Sequence, residues 1–273
     1  MLSQVDVISD QGTVLNLPVG DESNGLYIKD IDGLDPVAAS LSSSPFGQLA
    51  GEVEQGARRE KRNIVLTVGL EPDYITRTVS SIRRNLYQFF MPGNKVTLRF
   101  ISDDLETVSI RTTVEDMDSD LFTQEPEGQI SLIAYKPDFL SLVETTLAGS
   151  TTASTVDTNL VYPGSVPSGL LFTLNVNRSI TGFVITQTLP NNDQKTFEFQ
   201  YPMVNGDILH LNTVAGNKSA TLTRSGSVKS AISGPSPQAD WIQLAPGTNK
   251  IRVAVSGSAI PYTIKYTSRY GGL

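Results

Sequence analysis

The sequence predicts a mainly β protein with two domains: a β-rich N-terminal domain with one α-helix packed on its sheet, then an antiparallel β-sandwich. Three observations support this fold class. Apolar and polar residues alternate with a period of two over many short runs, as in half-buried strands. One stretch, near residues 75–90, has helical spacing instead. The length of 273 residues is long for one domain, since domains average about 150 residues.

The composition restricts the possible functions. With 39% hydrophobic residues, the chain can bury a core, and a formal net charge of −7 disfavours broad binding to nucleic acid. The absence of cysteine excludes disulfides, thiol nucleophiles and thiolate metal ligands. The single His210 has no catalytic motif around it and is expected to be a partly buried strand residue. No apolar run approaches the roughly 18 residues of a membrane span, and no secretion signal is recognisable, so we expect no membrane insertion.

The predicted first domain begins with three strands, VDVIS, TVLNL and GLYIKDI, which are broken by Gly, Asp and Asn. The segment DGLDPV is expected to form a turn, because proline biases the preceding residue towards an extended conformation. The residues Ser40–Gly56 are small and acidic, which is typical of a loop or hairpin tip. A strand over Asn63–Leu70 follows.

A helix is predicted between Tyr74 and Met91, where Pro92 and Gly93 end it. Its apolar residues recur at spacings of three and four, which places them on one face. These residues are Ile75, Val79, Ile82, Leu86 and Phe90. The alternating runs KVTLRFI, TVSIRTTVE and QISLIAY supply the sheet on which this helix packs, and the mixed β-rich region ends near Tyr135.

A linker is predicted over Ala148–Asn159, because its small polar residues offer little surface to bury. The expected domains are therefore residues 1–147 and 160–273, joined by residues 148–159. Seven β-rich runs in the second domain are separated by turn residues, which favours an all-β sandwich. The runs are LLFTLNV, GFVITQTL, KTFEFQY, DILHLNT, SATLTRS, KIRVAVS and YTIKYTS.

A basic cluster, defined as Arg58, Arg59, Lys61 and Arg62, surrounds Glu60 in this otherwise acidic chain. The cluster lacks the aromatic residues and glycine-rich loop that would favour nucleic-acid binding. It could protect an exposed strand edge, since charged side chains there disfavour pairing with a strand of another molecule. It could also form half of a subunit interface, facing an acidic surface of the next copy. The candidate acidic residues are Glu52, Glu54 and the pair Asp103–Asp104.

Two other segments are candidate binding sites. Carboxylates in Asp116–Glu127 occupy positions of a calcium loop, but Leu121 stands where that loop needs glycine, so an acidic hairpin end is expected instead. Trp241 could stack on a sugar ring, although a solitary tryptophan is more often a core anchor. No cofactor, metal site or catalytic residue is predicted.

Several stretches that span nearly the whole chain carry a family resemblance. They include SSPFGQLAGEVEQGARREKRNIVLTVGL, ISLIAYKPDF and the ending DWIQLAPGTNKIRVAV…YTIKYTSRYGGL. Together they resemble the distal tail proteins of long-tailed bacteriophages, the siphovirus tail component family. The chain departs from the family pattern at Lys136, where relatives often carry Asp, and in lacking a long insertion in the second domain. The second departure argues against a built-in sugar-binding module.

This resemblance implies a structural virion protein rather than an enzyme. The first domain would form a hexameric ring at the distal end of the phage tail, between the tail tube protein and the baseplate hub, with receptor-binding proteins nearby. The second domain would be a galectin-like sandwich, and assembly would occur in the host cytoplasm. DNA would be only passing cargo, since an acidic wall offers a polyanion no place to bind.

Two alternatives belong to other classes. One is a carbohydrate-binding host-attachment protein, which clustered exposed aromatic residues in the second domain would favour. The other is a cell-wall hydrolase, which lacks a recognisable pair of acid and base residues in this sequence.

Overall fold

The computed structural model describes residues 1–47, 50–73, 75, 77–120, 123, 125–152 and 156–273. The chain divides into two compact units. The first unit comprises Met1–Leu142 together with the C-terminal residues Tyr270–Leu273, and the second comprises Val143–Arg269.

The first unit contains ten strands, a 3₁₀ turn and one α-helix within the described residues, and its last strand continues into the second unit. The strands are β1 Leu2–Ser9, β2 Val14–Pro18, β3 Leu26–Asp32, β4 Ala39–Pro45, β5 Glu52–Arg59, β6 Arg62–Leu70, β7 Lys95–Ser102, β8 Val108–Ser119, β9 Glu127–Ala134 and β10 Phe139–Ser150. The 3₁₀ turn is Glu22–Asn24, and the helix α1 is Val79–Phe90.

Seven strands of the first unit form an antiparallel sheet in the order β2-β1-β7-β8-β9-β6-β3. A bridge between Val19 and Ile28 joins the two ends of this order, so the sheet curves back on itself. Inward-facing residues such as Val5, Leu66 and Leu98 form one buried cluster. All strands predicted in this region are confirmed, and burial alternates along β7 and β8, as the period-two pattern of their sequences predicts.

The helix begins later than the sequence predicts. Thr78 caps it, because its hydroxyl accepts from the backbone N–H of Ser81 while the Ser81 hydroxyl accepts from that of Thr78. Ile75 lies outside the helix and is 92% exposed, so its assignment to the apolar face is wrong, while the predicted first residue, Tyr74, lies outside the described residues. The helix packs on the core through Ile82, Leu86, Phe89 and Phe90. No helix in the described residues is long and apolar enough to cross a membrane.

Strands β4 and β5 form a separate two-stranded hairpin. Every residue of both strands is exposed except Ser44, which is half-buried. The sequence predicts either a loop or a hairpin tip in this region, and the structure shows a hairpin. The segment ASLSSSP has no apolar alternation, because neither face of β4 is buried in this chain.

The second unit holds the remainder of β10 and eleven further strands. The last of these strands ends at Tyr270, which begins the C-terminal segment of the first unit. They are β11 Thr158–Tyr162, β12 Ser168–Gly169, β13 Leu171–Asn175, β14 Ile180–Thr188, β15 Gln194–Met203, β16 Ile208–Asn212, β17 Ser219–Arg224, β18 Ser227–Ser230, β19 Gln243–Leu244, β20 Gly247–Ala254 and β21 Pro261–Tyr270.

These strands form the predicted antiparallel sandwich. One sheet has the order β11-β20-β14-β15 and the other β18-β17-β16-β13-β21. Phe172 from the second sheet stacks on Phe183 from the first, with ring centroids 5.7 Å apart, and both belong to one buried cluster. All seven runs predicted from the sequence are strands, so the predicted mainly β fold is confirmed.

The predicted linker Ala148–Asn159 differs from what the structure shows for its described residues. Residues 148–150 continue β10, residues 158–159 begin β11, and residues 153–155 lie outside the described part of the chain. Thr151 is buried and exchanges hydrogen bonds with the backbone of Ile260. Small polar residues can pair through their backbone, which composition alone does not reveal. The domain limits 1–147 and 160–273 therefore stay a prediction about independent folding, and the compact units divide elsewhere.

Candidate subunit interface

The structure engages two side chains of the basic cluster in contacts within the subunit and leaves the other two exposed without an ion pair to a described residue. Arg62, at the start of β6, is 1% exposed, and Arg59, at the end of β5, is bound to a buried carboxylate. Arg58 and Lys61 are exposed, and neither forms an ion pair with a described residue. Within this cluster, only these last two cations are therefore available to a neighbouring molecule.

Arg62 ties distant backbone segments of the first unit together. Its Nε donates to the carbonyl of Pro137 at 2.8 Å, and its Nη1 donates to those of Asp35, at 2.6 Å, and Gly33. Its Nη2 donates to the carbonyl of Gly271, near the C-terminus. The expectation that Arg62 belongs to an intersubunit surface is wrong, because its guanidinium is buried and already holds four acceptors.

The burial of Arg62 follows from the pattern of β6. Residues two apart share a face of a strand, so Arg62 faces the same side as the fully buried Ile64, Leu66 and Val68. Its guanidinium lies 4.5 Å from the ring centroid of Phe139, which is a cation–π contact. Burial lowers the pKa of Arg62, while the negative charge of Asp138 opposes that shift. Arginine is so strongly basic that the guanidinium stays charged at neutral pH despite this shift.

Arg59 is likewise occupied within its own subunit. Its guanidinium binds both carboxylate oxygens of Asp138, whose side chain is 2% exposed, with Nη2 and Oδ2 3.0 Å apart. Such a two-pronged pair fixes the base of the β4–β5 hairpin to the residue before Phe139. Glu60 accepts a hydrogen bond from the hydroxyl of Ser40 at 2.6 Å across the same base. Arg59 therefore positions the hairpin rather than a partner.

The acidic residues predicted to face the basic cluster of another copy lie in two different parts of the first unit. Glu52 and Glu54 are exposed on β5, towards the tip of the hairpin, where Glu52 accepts from the hydroxyl of Ser43. Asp103 is exposed, and Asp104 binds the N-terminal ammonium at 2.6 Å. Hydrogen bonds from that ammonium and from Ser102 lower the pKa of Asp104 to about 2. Asp104 is therefore already paired, whereas Glu52, Glu54 and Asp103 form no ion pair with a described residue and stay candidates for contact with another subunit.

Trp241 and His210 lie in the second unit and do not form a site together. Trp241 is half-buried against the sandwich core, with its ring 5.4 Å from that of Phe197. The Nζ of Lys218 lies 5.5 Å from the Trp241 ring centroid and occupies a face that a sugar would need. His210 is exposed on β16 beside Thr173, which corrects the expectation that it is partly buried. These contacts favour the core-anchor interpretation of Trp241.

The acidic segment Asp116–Glu127 spans the ends of β8 and β9, and Leu121 lies outside its described residues. A shallow pocket of about 170 Å³ there is lined by residues that include Asp118, Asp120 and Glu127. Asp118 already accepts from the backbone N–H of Ser119 at 2.8 Å, and Glu127 pairs with Lys29. Within the described residues, no three metal-binding side chains converge on one point.

We expect calorimetry to show no calcium binding tighter than about millimolar, the weak end of protein calcium sites. The reason is that alternate residues of an extended strand are about 7 Å apart, which is too far for convergent chelation by this backbone. The replacement Asp118→Asn provides the control and should give the same weak heat as the wild type. Micromolar affinity that Asp118→Asn abolishes would contradict this expectation.

Comparisons with known proteins agree with the fold. Residues 163–270 match the family model of the C-terminal domain of the siphovirus-type tail component. The crystal structure of the Dit protein of phage SPP1, described as a paradigm of the hub adsorption apparatus in phages that infect Gram-positive bacteria, superposes with a TM-score of 0.67 at 12% identity, covering 97% of this chain and 98% of that one.

The activated baseplate of phage P2 gives a TM-score of 0.47 at 7% identity, with 100% of each chain covered. No curated protein sequence matches the chain. Residues 163–270 therefore match the C-terminal domain of the siphovirus-type tail component family, and the whole chain has the fold of the Dit protein.

Proposed function

We propose that this protein is a non-enzymatic distal tail protein. Its first unit forms a hexameric ring at the distal end of the phage tail, joining the tail tube to the baseplate hub and the receptor-binding apparatus. The phage tail family and the Dit fold support a structural role in the tail or baseplate. The number six and the joining role come from the resemblance of the sequence to distal tail proteins.

The observation that carries this proposal is the exposed β4–β5 hairpin. A two-stranded hairpin is marginally stable in water unless it packs on other structure. Here Leu41 is 74% exposed on β4 and Val53 is 46% exposed on β5, and neither packs on the core cluster of its unit. Such a hairpin is suited to lie against a second molecule, which would cover these apolar side chains.

The charges of the hairpin suggest what that second molecule is. Glu52 and Glu54 lie towards the tip, whereas Arg58 lies near the base, beside Lys61. Glu54 and Arg58 are four residues apart, or about 13 Å along the strand. The acidic end of one copy can therefore meet the basic end of the next, in a contact between two different patches. Contacts of this heterologous kind generate a ring where the rotation between successive copies closes.

The remaining partners follow from the same role. The tail tube and the hub would contact opposite faces of the ring, and DNA would pass through it as cargo. The chain has a net charge of −7, and a like-charged wall would not retain a polyanion.

The proposal is tested by light scattering on the purified protein over a range of concentrations. We expect a mass of six subunits for the wild type. The double replacement Arg58→Glu and Lys61→Glu should shift assembly towards smaller species, because it sets like charges against Glu52 and Glu54, and added salt should weaken the wild-type ring. Arg59 is left unchanged, since Arg59→Glu would place a second carboxylate against the buried Asp138.

The matched control is Lys229→Glu with Lys250→Glu, which makes the same change of net charge at exposed positions of the second unit. This control should assemble as the wild type does. A monomeric mass for the wild type at every concentration would contradict the homo-hexamer. Equal assembly by the Arg58→Glu and Lys61→Glu variant would contradict the role of the hairpin charges.

A further inference from the structure

The outer face of α1 is an uncovered surface of unusual composition for this acidic protein. Arg84, Tyr87 and Met91 follow one another at spacings of three and four residues and are all exposed, and the half-buried Arg83 lies beside them. This face lies opposite the one that packs on the core. We define the outer helix face as Arg83, Arg84, Tyr87 and Met91.

The outer helix face is positively charged and partly preorganised. Helix α1 has two arginines and no acidic residue. The guanidinium of Arg83 donates to the hydroxyl of Tyr87 and lies 5.4 Å from its ring centroid, so the side chain is held along the helix. Its Nε is buried without a hydrogen-bond partner among the described residues. Neither Arg83 nor Arg84 forms an ion pair with a described carboxylate.

The residue types on this face are those that protein interfaces favour. Arginine, methionine and aromatic residues are enriched in protein interfaces relative to the rest of the protein surface. Tyr87 is 37% exposed and Met91 52% exposed, so contact with a partner would remove apolar surface from water. A solvated helix face would more commonly carry carboxylates and lysines.

A complementary surface is present on the same unit. Asp116 and Asp118 alternate along β8 and therefore face the same way, and Asp120 follows directly after the strand. All three side chains are exposed, and none forms an ion pair with a described residue. The nearby Glu125 and Glu127 differ, since Lys29 pairs with both of them. We define the acidic strand face as Asp116, Asp118 and Asp120.

We propose that the outer helix face of one copy docks on the acidic strand face of the next copy. The two surfaces carry opposite charge, and in the described residues they form no ion pair within one chain, so each can serve a different neighbour. This inference rests on the proposed ring, since a contact between two different patches is what closes a ring. It adds a second contact, separate from the β4–β5 hairpin.

The test uses two variants with reversed charge. The first carries Arg83→Glu and Arg84→Glu, and the second carries Asp116→Lys and Asp118→Lys. Each alone sets like charges against each other at every contact, and we expect its association constant to fall at least about tenfold. Mixed in equal amounts, the two variants can alternate around the ring. A reversed helix face then meets a reversed strand face at one contact, and two unchanged faces meet at the next, so every contact joins opposite charges. The mixture should therefore recover assembly, in species that contain both variants.

Light scattering measures the mass, and native mass spectrometry measures the ratio of the two variants in each assembly. The control pair Lys229→Glu and Lys250→Glu should assemble alone. Mixed with the Asp116→Lys and Asp118→Lys variant, it should not complete rings that contain both, because the reversed strand face would still meet a positive helix face. If loss of the Arg83–Tyr87 contact unfolds the first variant, the single replacements Arg84→Glu and Asp118→Lys repeat the test at exposed positions that make no such contact.

The outcomes separate this inference from the proposed function. A wild-type ring of six that persists in both reversed variants would overturn the helix contact and leave the ring intact. Variants that fail alone and stay apart when mixed would also overturn it, because charge complementarity between the two faces would not be the cause. A wild type without any assembly would overturn the ring and this contact together.

Discussion

Replacing Arg62 by methionine is expected to destabilise the first unit by at least about 2 kcal/mol, because a hydrogen bond that involves a charged group contributes about 1.5–3 kcal/mol. Four backbone carbonyls lose their donor in this variant. They belong to exposed or half-buried residues, so water can satisfy some of them, and each costs at most about 1–3 kcal/mol. Gly33, Asp35, Pro137 and Gly271 supply these carbonyls. Methionine can fill part of the space beside Phe139 but donates no hydrogen bond.

Urea or thermal unfolding measures this loss, with the transition of the second unit as an internal reference. The control is Lys61→Met, which introduces the same side chain at the neighbouring exposed position and should be nearly neutral. Arg62→Lys keeps the charge but cannot reproduce the planar fork of donors, so an intermediate loss is expected. Equal stability of Arg62→Met and Lys61→Met would show that Arg62 does not hold these segments together.

The position of Arg62 shows where sequence patterns are sufficient and where they are not. The alternation of β6 is visible in the sequence, and extending it by one period places Arg62 on the buried face with Ile64 and Leu66. Four cations within five residues nevertheless suggest a common surface. The acceptors are not predictable, because residues 33, 35, 137 and 271 are brought together only by the fold.

The predictions for the helix and the linker fail for different physical reasons. Ile75 fits the apolar spacing of α1, but the reciprocal cap of Thr78 and Ser81 begins the helix one turn later. Around Thr151, low hydrophobicity suggests a linker, although backbone hydrogen bonds to Ile260 hold the segment in the second unit. Strands with a period of two are predicted well, because burial of one face requires apolar residues at every second position of the sequence.

The candidate interface can be predicted only in part. The sequence identifies a local excess of positive charge, and Arg58 and Lys61 are still available to a neighbour. It does not reveal the exposed hairpin that carries Arg58, since a strand with no buried face has no apolar alternation. The sequence also does not distinguish Arg84 and Tyr87 from other exposed residues of the helix, because apolar periodicity identifies only the residues on the buried face.

Replacing Gly33 by alanine is expected to destabilise the first unit by about 2–4 kcal/mol, even though Gly33 is exposed. Its φ of +85° is unfavourable for any residue with a Cβ, which costs about 1–2 kcal/mol. In addition, a Cβ at Gly33 would lie 2.0 Å from the carbonyl oxygen of Asn63 on β6. The turn after β3 would have to move away from β6, where its carbonyl accepts from Arg62.

Gly12→Ala is the matched control, because Gly12 has a φ of +84° and a Cβ added to it would have no other atom within 4 Å. The difference in unfolding free energy between the two variants therefore measures the close approach alone. If the turn and Arg62 act as one unit, Gly33→Ala combined with Arg62→Met should cost less than the sum of the two losses, since interacting positions are not additive. Equal losses for Gly33→Ala and Gly12→Ala, or full additivity with Arg62→Met, would contradict the role of this turn in holding Arg62 against β6.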